Sequence, residues 1–337
     1  MADLKTSFMG LELKNPVIAG ASRLTANLET LKGLEASGVA AVVIASLFEE
    51  QIRLGHDRLE DLLMGFDSRE QSEISIFPGM AYAGPEEHLE WVSKAKRNLS
   101  IPVIASLNAV AAETWTEWAR KLAATGVDAL ELNFYTTPVD PDKRGSDIED
   151  EQVDAVARVC RAVSLPVSVK LSPFYANPLQ VMKRMAEAGA GGFVLFNRFF
   201  QPDIDAETEK PRFVFDLSER EENRLPLRFT ALANGRVKGD LVASTAVLTA
   251  ADMAKMILAG AGAVQMVTAF YRHGLDYAGT VLSDFSSWMD RHGYGTIGDF
   301  RGRLDKRHAD DPHAWERAQY VRILMRSDAS VGRYPLL

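Results

Sequence analysis

One local pattern, repeated four times, limits what this chain can fold into. A helical stretch ends in Ala-Gly, Ser-Gly or Thr-Gly, and an apolar run follows almost at once: LEASGVAAVVIAS (34–46), LAATGVDALELN (122–133), MAEAGAGGFVLFN (185–197) and ILAGAGAVQMVTA (257–269). Glycine past a helix end takes the left-handed conformation without a Cβ clash, and a short apolar run after it fits a strand covered on both faces. Further strands open at proline, in NPVIAG (15–20), IPVIASLN (101–108) and LPVSVKLSP (165–173), and a run at 241–244 brings the strands to eight. Amphipathic helices are expected near 27–37, 86–98, 112–125, 151–163, 178–188, 250–259 and 275–291. Alternation of this count in 337 residues predicts an α/β fold, a single closed (β/α)8 TIM barrel, with an open doubly wound sheet as the competitor. No G-x-G-x-x-G follows a strand, which weighs against the open sheet.

Two stretches interrupt the repeat, 48–82 after the second strand and 198–227 after the sixth. In a barrel both lie on the C-terminal face, where they are candidate lids. Residues 1–305 are read as the barrel and 306–337 as a C-terminal extension that packs on its exterior or on a partner. A formal charge of -8 gives no general attraction for nucleic acid or anionic lipid, so a small-molecule partner is expected. Cys160 is the only cysteine, which rules out an internal disulfide or an iron–sulfur cluster held by this chain alone and suits a reducing cytoplasm. Apolar runs are of strand length, and residues 1–14 lack the apolar core of a signal peptide, so neither membrane nor export is expected.

Lys170 interrupts the apolar strand PVSVKLSP near its C-terminal end, which in a barrel aims it into the mouth. A buried ammonium needs a partner. Either Glu131 of the preceding strand pairs with it, or Lys170 donates to the electron-rich edge of a planar cofactor such as a flavin, or both hold; a Schiff-base nucleophile is a third reading. Asn133, Asn197, Ser106 and Asn108 end neighbouring strands, where their amides and hydroxyls suit a ring with many carbonyls or cap the following loops. ASTAV (243–247) and MVTAF (266–270) place small and hydroxyl residues after the seventh and eighth strands, the usual phosphate position of a barrel. The six histidines show no metal-ligand spacing, and no metal is expected.

Taken together, NPVIAGAS, ELNFY, VKLSPFY and VLFNRFFQPDID resemble the dihydroorotate dehydrogenases, over about residues 5–305. SLFEEQIR (46–53) and FNRFFQPDID (196–205) are similar to a dihydroorotate dehydrogenase-like branch. The resemblance implies bound FMN, with a substrate ring stacked on the flavin. It implies that Lys170 serves the flavin ring, that Asn133 meets flavin and substrate, and that Ala21 and Ser22 lie along the ring. Ser46, Ser106 and Asn197 complete the expected cofactor set, with Thr245, Ala246, Val267 and Thr268 around the phosphate. A homodimer is the family expectation, and a redox partner protein is an option.

The chain departs from the family pattern where the chemistry lies. The authentic fourth-strand motif reads roughly N-x-S-C-P-N, with Cys or Ser as the base. Here it reads Asn133, Phe134, Tyr135, Thr136, Thr137, Pro138, so Tyr135 or Thr136 stands in the place of that base. A second flavin lysine becomes Ala45, the phosphate-site Gly-Gly becomes Thr245-Ala246, and no Gly-Leu-Pro-Asn substrate loop is evident near Gly84-Pro85. The expectation is an FMN-dependent oxidoreductase that does not use dihydroorotate, with Tyr135, Thr136 and Lys170 as catalytic candidates. Its rival is a catalytically silent flavin-binding or structural subunit of a redox complex.

Overall fold

The computed structural model describes residues 2–54, 84–135, 137–311 and 313–325. Eight parallel strands form its centre: β1 (Val17–Ala19), β2 (Ala41–Val43), β3 (Val103–Asn108), β4 (Ala129–Asn133), β5 (Val167–Leu171), β6 (Gly192–Leu195), β7 (Asp240–Ala243) and β8 (Ala263–Met266). They pair in sequence order, and β8 returns to β1 with Val264 opposite Val17, so the sheet closes into a (β/α)8 barrel. Alternate residues face inward and outward. Ile18, Val43, Ile104, Ala129, Val194 and Val242 fill the interior, while Val17, Val42, Val103, Leu130 and Leu132 pack outward toward the helices. Burial on both faces is why these strands read as unbroken apolar runs.

The connecting helices are α1 (Leu28–Ala36), α2 (Pro85–Asn98), α3 (Ala112–Ala124), α4 (Gly145–Ala162), α5 (Pro178–Glu187), α6 (Arg224–Ala233), α7 (Ala250–Ala259), α8 (Thr268–His273) and α9 (Tyr277–His292). The four glycines of the recurring motif do the work expected of them. Gly38, Gly126, Gly189 and Gly260 follow α1, α3, α5 and α7 with φ of 103°, 88°, 114° and 120°, and each turns the chain back toward the next strand.

A hairpin of Thr6–Phe8 with Leu11–Leu13 plugs the N-terminal end of the barrel. Phe8, Met9 and Leu13 join the interior cluster. The Thr6 hydroxyl donates to the Gly262 carbonyl at 2.8 Å, and the Met9 N–H donates to Asp240 Oδ2 at 2.8 Å. Gly192 makes room for this plug, since a Cβ there would lie 2.5 Å from Phe8 Cε2.

At the opposite end the second insertion departs from the sequence reading. Of the first, residues 55–83 lie outside the described residues. Its opening segment, Leu47–Phe48, extends the edge of β3, and buried Glu49 accepts the backbone N–H groups of Val110 and Ala111 ahead of α3. The second ends earlier than expected. A hairpin of Asp203–Asp205 with Lys210–Arg212 and a 3₁₀ turn at Arg220–Asn223 lead directly into α6, so 224–227 are helical. Pro226 reads as a breaker in the sequence, yet in the first turn of a helix its missing N–H leaves no bond unmade. Beyond the barrel, α10 (Arg317–Met325) buries none of its residues. It is tethered by Arg228 Nη2 donating to Gln319 Oε1 at 2.5 Å, while the Lys306–Glu316 ion pair at 2.6 Å fastens the preceding turn. Among the described residues no helix is long and apolar enough to cross a membrane.

Candidate active site

The C-terminal strand ends converge on a polar mouth. Register sets Asn133 of β4 beside Lys170 of β5, with Glu131 beside Ser168 lower in the barrel. Lys170, 7% exposed, donates from Nζ to Gln265 Oε1 of β8 at 3.0 Å. Gln265 in turn donates from Nε2 to Glu131 Oε2 at 2.5 Å. Glu131 therefore does not pair directly with Lys170, because a glutamine amide spans the barrel between them. Burial pushes the Glu131 carboxyl above the usual carboxylate range, and the opposing influence of Lys170 and of Gln265 is smaller. Gly20 leaves the amide its space, since a Cβ there would sit 2.8 Å from Val267 Cγ2 and 3.3 Å from Gln265 Oε1.

Beside this chain lies a second network. The Ser46 and Ser106 hydroxyls share a hydrogen bond at 2.7 Å, and Asn133 Nδ2 donates to Ser46 Oγ at 3.4 Å. Asn197 Nδ2 donates to Asn133 Oδ1 and to the Phe134 carbonyl at 3.1 Å. Four of the expected cofactor residues thus form one connected patch across β3, β4 and the ends of β2 and β6. Asn108 Nδ2, buried at the end of β3, has no partner among the described residues. Ala21 and Ser22 follow β1 half-buried, and Ser22 sits in a turn closed by its carbonyl accepting the Thr25 hydroxyl at 2.9 Å. Ala45 follows β2 and is half-buried, so no cation stands there.

Tyr135 stacks on Phe199, ring centroids 4.1 Å apart, and Phe174 meets the same ring edge-on at 5.0 Å. Burial raises the phenol pKa, and a hydrogen bond to the Phe200 backbone partly opposes it. Thr136 lies outside the described residues. A cavity of about 440 Å³ opens beside this aromatic wall, lined by Phe174, Asn197, Arg198, Phe199, Arg224 and Thr245 among others.

At the far end, Thr245 and Ala246 hold successive left-handed conformations, with φ of 72° and 55°. The Thr245 hydroxyl donates to the Phe196 carbonyl at 2.9 Å, and Asn223 Nδ2 donates to the Ala246 carbonyl at 3.4 Å. Val267 precedes α8, and Thr268 opens it with Oγ1 accepting the Ser218 N–H at 3.3 Å. The connection from β6 to α6 therefore runs over this end of the site. Sequence reasoning passed over Gln265, Ser218 and Asn223. Gln265 carried a readable signal, being the single polar residue in the strand AVQM with the parity of the interior positions.

Fold and site together define a closed parallel barrel whose C-terminal mouth is the candidate ligand site, cationic and amide-lined at one end and loop-lined at the other. Residues 3–289 match the dihydroorotate dehydrogenase family, and the chain belongs to it. The family's members are FMN-dependent oxidoreductases. Over 310 residues the chain is 29% identical to the catalytic subunit of dihydroorotate dehydrogenase B (NAD(+)) of Thermoplasma acidophilum, covering 90% of this chain and 99% of that protein. The subunit of the same name from Bacillus thuringiensis is 26% identical over 311 residues, 90% of this chain and 97% of its own.

The residues present fit such a cofactor. Lys170 and the Asn108 amide, partnerless among the described residues, offer donors to a ring with carbonyls, and Thr245 and Ala246 stand in the loop after β7, at the end of a barrel where phosphate sites form.

Proposed function

We propose that this barrel is an FMN-dependent oxidoreductase acting on a ring or unsaturated substrate other than dihydroorotate. The observation that carries the reading is a polar mouth centred on Lys170, joined to a β4 loop that offers Tyr135 or Thr136 where the family has Cys or Ser. Bound FMN supplies the acceptor or donor of a hydride. Lys170 would hold the electron-rich edge of its ring, with Asn133, Asn197, Ser46 and Ser106 ordering the adjoining amides and Ala21 and Ser22 alongside. Thr245, Ala246, Val267 and Thr268 would surround the phosphate. Loss of a general base costs about 10²- to 10⁴-fold, so the family's own reaction is the one this loop disfavours. A phenol is already protonated at neutral pH, and partial burial raises rather than lowers its pKa, so Tyr135 is suited to give a proton rather than to take one. Tyr135, or Thr136 next to it, is therefore read as proton donor, and the aromatic wall of Phe174 and Phe199 as the face that meets an apolar substrate.

The test is a visible spectrum of the purified chain with added FMN, followed by anaerobic photoreduction. Bound, reducible flavin is expected; protein that stays colourless with FMN overturns the reading. A second reading has its own support. Thr245 and Ala246 put side chains where the family has two glycines, and the relatives are named as catalytic subunits, which implies a further subunit in their enzymes. A catalytically silent flavin-binding or structural subunit of a redox complex fits both facts. Isolation of the native protein checks it, since a homodimer that turns over substrate alone excludes an obligate partner.

A further inference from the structure

Glu131 is a buried acid that the proposed chemistry leaves unused. It is 0% exposed, inside the barrel below Lys170. Its register neighbours are Ser106 and Ser168, and both hydroxyls are engaged elsewhere, the first with Ser46 and the second with the Leu130 carbonyl. Among the described residues the one charged group bearing on it is Lys170, and that influence crosses an intervening amide.

The donor and acceptor order of this chain is fixed by elementary chemistry. An ammonium only donates, so the Gln265 carbonyl must face Lys170, and its NH2 group must then face Glu131. Glu131 accepts through Oε2, while Oε1 has no partner among the described residues. An ionised carboxylate here would be a fully buried charge held by one neutral donor, which is far costlier than the neutral acid with its proton on Oε1.

We propose that Glu131 is a positioning residue that keeps its proton at neutral pH: it accepts the Gln265 amide without adding a charge, so the ammonium meets the barrel mouth uncompensated. The ligand this favours is an anionic or electron-rich edge, a class to which a reduced flavin ring belongs. That last step rests on the flavin reading; the state of Glu131 does not. Had Glu131 been ionised, the mouth would be close to neutral and would draw no anion.

Infrared spectroscopy of the full chain separates the two. A protonated-carboxyl stretch is expected at neutral pH, shifting in D2O and vanishing in Glu131→Gln. Where that variant does not fold, Gln265→Met assigns the band instead, because loss of its hydrogen-bond donor moves it. In parallel, Glu131→Gln should bind FMN within about threefold of the parent, while Lys170→Met loses more than about tenfold. No carboxyl band at neutral pH, a band that neither variant alters, or Glu131→Gln weakening FMN as much as Lys170→Met would overturn the proposal. If no variant and not even the parent binds FMN, the flavin reading fails, and the infrared band still decides the state of Glu131.

Discussion

The two ends of the mouth are built on different principles. At the end proposed for the flavin ring, side chains set the character: Lys170, Gln265 and Glu131 in one network, Ser46, Ser106, Asn133 and Asn197 in another. At the end proposed for the phosphate the backbone sets it, and Thr245 and Ala246 occupy a conformation that glycine takes freely. Non-glycine residues held there cost about 1–3 kcal/mol each and persist only when the surroundings impose them. The bonds from Thr245 to the Phe196 carbonyl and from Asn223 to the Ala246 carbonyl are part of that imposition. The difference teaches that a loop can hold its shape without glycine where neighbours impose it, whereas a polar end depends on the charge and donors of particular side chains, Lys170 above all.

The largest break in this comparison should come from Lys170→Met. Flavin-dependent turnover should fall by about 10²- to 10³-fold while circular dichroism shows an intact fold; unaltered photoreduction and turnover would mean that the ring end does not rely on its cation. Next is Tyr135→Phe, which keeps the stack on Phe199 and removes the hydroxyl. A loss near 10²-fold is expected if the phenol gives the proton. The parent's rate should then decline only as pH rises through a phenol pKa that burial has lifted above its ordinary 10.0, a limb the variant lacks. A rate within about twofold of the parent would leave packing as the whole role of Tyr135.

A smaller effect should sharpen the contrast from the other end. Ala246→Gly relieves a left-handed alanine, which raises the unfolding free energy by about 1 kcal/mol and tightens FMN in titration. A destabilised variant would show that the φ of 55° there is not strained. The smallest effect is the pH dependence of Glu131→Gln. A carboxyl with a raised pKa keeps in the native chain a proton that the unfolded chain has lost, so its contribution to stability declines as pH rises from the ordinary 4.5 through the raised value. Denaturant titrations should find the variant more stable than the parent at neutral pH, with the gap closing toward acid. A gap that widens toward acid would mean that Glu131 is ionised in the native barrel.

Much of the architecture was legible because closure of the barrel uses local rules. The Gly38, Gly126, Gly189 and Gly260 turns announce themselves, and apolar runs locate the strands. Lys170 stood out for a related reason, as a charge within an apolar run. What was not legible depends on contacts distant in sequence. The Gln265 amide between Lys170 and Glu131 joins β4, β5 and β8, and no spacing reveals which partner a buried cation takes. Helix α6 was not expected, and its first turn was counted in the insertion; Pro226 is tolerated there because it lies in that first turn. The left-handed shape of Thr245 and Ala246 contradicts their own preferences, so it could be seen only in three dimensions.

The plug formed by Phe8 has a consequence for the order of assembly. Its bed is Gly192, on the sixth strand, so the contact that seals the floor joins distant parts of the chain. Contacts of this kind pay their loop-closure entropy before they return any stability, and they slow folding. A half-barrel ending before β6 would have nowhere to seat its hairpin and would leave that aromatic side chain facing water. The floor thus makes the barrel cooperative across its whole circumference, and it sets apart the mouth, where loops can change without unsealing anything.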